Sequence, residues 1–77
     1  MKNEEEKPFR LRSYGKGELA SLYSPDIRQQ SAVDKLNEWI DTYPGLKDNL
    51  SAIGLQKKSR RYTPAQVRMI IEALGEP

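Results

Sequence analysis

Neither cysteine nor histidine occurs among the 77 residues. Without thiols there is no disulfide framework and no thiolate zinc site, so packing and helix caps must hold the fold, as suits a reducing compartment. Without imidazole the commonest general base and the commonest metal ligand are missing, which argues against an enzyme and leaves no cofactor or metal site to expect. Long apolar runs are missing too. The opening Met1-Lys2-Asn3-Glu4-Glu5-Glu6-Lys7 has no signal-peptide core, and no later stretch reaches membrane-spanning length, so a cytoplasmic protein without a membrane partner is expected. No stretch alternates acidic oxygens around a glycine as a calcium loop does.

Apolar residues are scarce at 36%, and the length allows one domain with a small core. Phe9, Tyr14, Tyr23, Trp39, Tyr43 and Tyr62 offset the scarcity by burying large areas each. Net charge is only +2, but its distribution is uneven. Residues Pro8 to Gly17 hold three bases (Arg10, Arg12, Lys16) and no acid. Leu55 to Ile71 hold five (Lys57, Lys58, Arg60, Arg61, Arg68) and no acid. Between them, Glu18 to Gly54 hold six acids against three bases. Two basic segments therefore flank an acidic middle.

Periodicity divides the chain into a flexible tail over 1–8 and a single domain over 9–77. Phe9-Arg10-Leu11-Arg12 alternates at period two and predicts a strand with its arginines outward, paired with a second strand ending in Ser59-Arg60-Arg61-Tyr62. A first helix runs from near Gly15 to just before Pro25, with Leu19, Ala20, Leu22 and Tyr23 inward. A second carries Ala32, Val33, Leu36, Trp39, Ile40 and Tyr43 on one face and Asp34, Lys35, Asn37, Glu38 and Asp41 on the other, starting at a Ser31–Asp34 capping box or at Ser24 ahead of Pro25. Leu46, Leu50 and Ile53 suggest a third helix, closed by Gly54 in a left-handed conformation with Leu55 folding back. A fourth opens at Thr63-Pro64-Ala65-Gln66, where Thr63 caps and Gln66 reaches back to it, and continues through Val67, Ile70, Ile71 and Leu74. The expected fold is mainly α, four short helices with a small two-stranded β ribbon.

Two resemblances follow. Tyr14-Gly15-Lys16-Gly17-Glu18-Leu19-Ala20 and Arg60-Arg61-Tyr62-Thr63-Pro64-Ala65-Gln66-Val67 resemble the opening and the wing of MerR-like and excisionase-like winged helix-turn-helix domains. The chain also resembles a family of short bacterial proteins catalogued as a domain of unknown function. That likeness is carried by Tyr14-Gly15-Lys16, Glu18-Leu19-Ala20, Leu36, Trp39-Ile40, Tyr62 to Val67 and Leu74-Gly75-Glu76-Pro77. The winged-helix resemblance implies double-stranded DNA as partner, read by the amino-terminal end of the second helix (Arg28, Gln29, Gln30, Ser31) and touched along its backbone by the wing (Lys57, Lys58, Arg60, Arg61). The sequence departs from that pattern by Pro25 in the turn, an extra helix before the wing, and no long dimerisation helix.

Each feature also has a plainer explanation. Short basic runs are common on soluble proteins, so Lys57 to Arg61 also fits a solvated ribbon. Trp39 lies among Leu36 and Ile40 and fits a core better than a platform for stacked bases. Asp34, Glu38 and Asp41 would repel phosphates, and they make a protein–protein interaction or adaptor module on the same fold the alternative function.

Overall fold

The computed structural model describes residues 9–77, and the expected tail over 1–8 lies outside them. In chain order the elements are β1 (Tyr14–Gly15), α1 (Lys16–Tyr23), α2 (Gln29–Thr42), α3 (Leu46–Ala52), β2 (Arg61–Tyr62) and α4 (Pro64–Leu74). The protein is a small, mainly helical domain of four helices and one antiparallel two-stranded sheet. Tyr14 pairs with Tyr62 and Gly15 with Arg61, and the Lys16 amide continues the ladder by donating to the Arg60 carbonyl at 3.0 Å.

Burial follows the expected apolar spacing with informative exceptions. Leu19, Ala20, Ala32, Leu36, Ile40, Leu46, Leu50, Val67 and Ile70 form one core, sealed on the sheet side by Tyr14 and Tyr62. α1 packs chiefly on α2, while α3 lies against α2 and α4. Trp39 is half-buried at the edge of this core, where its ring meets Tyr23 edge-on with centroids 6.0 Å apart. Leu22 is exposed because Leu19, Ala20 and Tyr23 already fill the inward side of a two-turn helix. Tyr43 and Ile53 are exposed because each ends its helix as the C-cap, where the backbone leaves helical geometry and turns the side chain off the buried face.

The helix ends explain where the chain turns. α1 starts at Gly15, whose amide donates to the Glu18 carboxylate at 3.1 Å. α2 stops at Tyr43, whose extended backbone is the conformation favoured before Pro44. At the end of α3 the Leu55 amide donates to Leu50 O and the Gly54 amide to Ser51 O, both at 3.0 Å, with Gly54 at φ +101°. That is a Schellman closure, as expected from Gly54 and Leu55. At α4 the Gln66 amide donates to Thr63 Oγ1 at 3.2 Å and the Thr63 amide to Gln66 Oε1 at 2.9 Å, the reciprocal box read from the sequence.

Two local expectations are corrected. The first strand is not Phe9 to Arg12 but Tyr14–Gly15. Residues 9–12 fold back over Tyr14 instead: Phe9 stacks on its ring at 5.4 Å, the Arg12 guanidinium sits 3.8 Å from the ring centroid, and the Tyr14 hydroxyl donates to Arg10 O. These contacts turn the segment away from β2. The start of α2 is likewise neither Ser31 nor Ser24 but Arg28, which has extended backbone and makes no side-chain cap. Ser31 therefore sits inside the first turn, and the Asp34 carboxylate accepts from Gln30 Nε2 at 3.1 Å rather than closing a box.

Candidate nucleic-acid interface

Arg28, Gln29, Gln30 and Ser31 form the cap and first turn of α2, and all four are exposed. Lys57, Lys58, Arg60 and Arg61 are exposed as well, but only Arg61 belongs to a strand. Lys57 and Lys58 occupy the two central positions of a turn closed by the Ser59 amide donating to Gln56 O at 3.0 Å, and the Gln56 amide returns a bond to Ser59 Oγ at 3.0 Å. The wing is thus a short turn followed by a brief strand, because two hydrogen bonds between Gln56 and Ser59 close the lysines into a turn ahead of the ladder.

These two segments, about thirty residues apart in sequence, border the same turn of α1. On one side the Lys16 amide holds the Arg60 carbonyl, and a Cβ placed on Gly15 would lie 3.6 Å from Arg61 Nη1. On the other, a Cβ on Gly17 would lie 2.6 Å from Gln29 Cδ and 2.8 Å from Gln29 Nε2. Gly15-Lys16-Gly17 therefore forms a seam with the wing on one flank and the α2 amino terminus on the other. Only the absence of a side chain at Gly17 lets Gln29 lie so close.

The cations differ in how far they are engaged. Arg12 is paired with Glu18 at 2.8 Å, and that hydrogen bond raises the guanidinium pKa above its ordinary value. The same bond from Arg12, followed by the Gly15 amide, holds the Glu18 carboxyl below the usual range. Arg61 Nε donates to Ser13 Oγ at 3.2 Å, which fixes its direction across the ribbon. Among the described residues the ion pairs are Arg12–Glu18 and Lys47–Asp41, so Arg28, Lys57, Lys58, Arg60 and Arg61 keep their charge available. Gln30 is the least available of the expected readers, since its amide is spent on Asp34.

Asp34, Glu38 and Asp41 are exposed on α2, with Asp41 3.5 Å from Lys47. Sequence reasoning missed Lys16, which it counted as a charge and no more. No signal in the sequence marked it, because its place beside the wing follows from the pairing of Gly15 with Arg61, and the sequence pointed to Phe9 to Arg12 as the first strand instead. Among the described residues no helix is long and apolar enough to cross a membrane.

No curated protein and no solved structure matches the chain. A family model does match, over residues 10–77, which is nearly the whole of the described domain and includes the seam, the wing and α4. The chain belongs to the family described as Domain of unknown function (DUF4248).

Proposed function

We propose that the protein is a small winged helix-turn-helix-like DNA-binding module, of the kind found in transcriptional or mobile-element regulators. The first turn of α2 meets base edges in the major groove and the Lys57 to Arg61 segment touches the phosphate backbone. One observation carries this reading: Gln29 and the Arg60–Arg61 backbone lie against opposite flanks of the Gly15-Lys16-Gly17 seam, so a reading element and a backbone-binding element share one rigid support. Arg28 and Gln29 are residue types that can fork onto guanine and adenine edges. The unpaired wing cations are the type that displaces counterions from a duplex.

The test is affinity for duplex DNA by fluorescence anisotropy across a salt series. Binding weakens steeply with salt, and replacing Arg60 and Arg61 together by alanine lowers the slope of log affinity against log salt by about two. No binding at low salt overturns the reading. The acidic side of α2 favours a second one, in which Asp34, Glu38 and Asp41 recruit a basic protein partner. Its mark is capture that survives nuclease and is lost in Asp34→Lys with Glu38→Lys.

A further inference from the structure

A cleft of about 350 Å³ opens between α2, α3 and the segment that enters the wing. Its walls bring together Lys16 from the seam, Asp41 from α2, Lys47 from α3, and Leu55, Lys57 and Tyr62. The volume falls within the range of small-molecule pockets, roughly 300–1,000 Å³.

Three lysines line this space against one acidic residue, Asp41, whose carboxylate is already engaged by Lys47 at 3.5 Å. Lys16 and Lys57 have no acidic partner among the described residues. Lys16 is half-buried, and its Nζ lies 5.8 Å from the centroid of the buried Tyr62 ring, whose face supplies a weak attraction for the cation. Burial lowers the Lys16 pKa below the ordinary lysine value. A partly desolvated cation with no counter-charge gains more from an incoming anion than one bathed in water. Ser51, Asn37 and Gln56 add hydrogen-bonding groups around the cleft, while Ile40 and Leu55 give it an apolar wall.

We infer that this cleft binds a small phosphorylated ligand, its phosphate held between Lys16 and Lys57 and its less polar part lying against Ile40 and Leu55. The site is separate from the groove-reading turn of α2, and it does not require DNA binding. It does share Lys57 with the wing, so ligand in the cleft competes for one wing cation.

The experiment is an amide chemical-shift titration of the full chain with inorganic phosphate and with adenosine 5′-monophosphate, using matched sodium chloride as the blank. Shifts clustered at Lys16, Ser51, Gln56 and Lys57, with the nucleotide binding more tightly than phosphate, are the expected result. Lys16→Gln removes the charge while keeping half of the methylene stem, and weakens binding about tenfold or more through loss of a charge-assisted bond, whereas Lys35→Gln, outside the cleft, leaves it unchanged. The spectrum of free Lys16→Gln shows whether its fold is intact, and Lys57→Gln, at an exposed turn, provides an independent loss of affinity. Shifts no larger than those from chloride, or an affinity equal to the parent's in both cleft variants, overturn the inference. Because Lys57 is shared, a short duplex competes with the nucleotide there; a duplex that also shifts the Lys16 and Ser51 amides as the nucleotide does overturns the inference by making the whole cleft part of a DNA backbone contact.

Discussion

Among the described residues Gln66 is the buried polar side chain, 3% exposed, and its amide does two things. Its oxygen accepts from the Thr63 amide at 2.9 Å and its nitrogen donates to the Ile53 carbonyl at 3.1 Å. Gln66→Leu keeps the volume and the helix propensity while leaving both backbone groups without their partner. Thr63 and Ile53 are themselves exposed, so water reaches part of what is freed, and each lost bond costs about 1 kcal/mol rather than the upper figure of about 3 for a sealed group. Gln66→Leu therefore destabilises by about 2 kcal/mol. Gln66→Ala also removes a buried methylene at about 0.8 kcal/mol and destabilises by about 3 kcal/mol. A chain of this size has about 4–12 kcal/mol in total, so the alanine variant gives up between about a quarter and three quarters of it. Urea denaturation followed by circular dichroism and by Trp39 fluorescence measures both. Gln66→Glu adds a check on mechanism. The neutral acid can donate to Ile53 O as the amide did, whereas the carboxylate cannot and is buried, so its folded pKa lies above the unfolded value of about 4.3. The folded state then holds the proton more tightly, and stability is present at low pH and lost as pH rises through the folded pKa. A leucine variant as stable as the parent, or a glutamate variant with the parent's pH profile, refutes the account of Gln66 as a bridge.

Three further outcomes follow from the same geometry. Gly54→Ala destabilises by about 1–2 kcal/mol in urea, because φ +101° lies outside the comfortable range of a residue with a Cβ and the Schellman closure depends on it. Burial pushes the Tyr62 hydroxyl up to about 12, and burial followed by the charge of Glu76 does the same for Tyr23. The unfolded tyrosines titrate near about 10, so stability is intact below that pH and lost between about 10 and 12; an alkaline melting series on Tyr62→Phe shows a shallower decline than the parent. Gly17→Ala keeps stability within about 1 kcal/mol of the parent, since the clash falls on a flexible side chain and alanine favours helix, but it swings Gln29 off the seam. Under the DNA-binding proposal its duplex affinity falls while its melting temperature does not.

The elements legible in the sequence were those whose cause is local. Thr63 and Gln66 are three residues apart, and Gly54 with Leu55 closes a helix that Leu46 and Leu50 had already announced, so neither needs knowledge of the rest of the chain. The register of the ribbon was not legible, because it depends on Arg12 and Phe9 choosing the Tyr14 ring over an extended path. The start of α2 was misplaced for a related reason. Ser31 has the right chemistry for a cap, yet the helix extends back to Arg28 without one, and packing of Ala32 and Leu36 into the core outweighs a missing cap hydrogen bond. At the candidate interface the residue types could be read but not their proximity, since Gln29 reaches the wing only through Gly17 and its neighbours. The Lys16 cleft draws on four separate stretches of chain, and no periodicity in any one of them points to it.

The bridge at Gln66 also bears on how such a domain can diversify. Ile53 O and the Thr63 amide stand at the two ends of the stretch 54–62, and a single side chain fastens both. With its ends fixed, a surface loop can double in length for only about 0.6 kcal/mol of extra closure entropy. Gln56 to Arg60 therefore behaves as an exchangeable cassette: new residues there rewrite the wing's charge and one wall of the cleft together, while the helices beneath keep their arrangement.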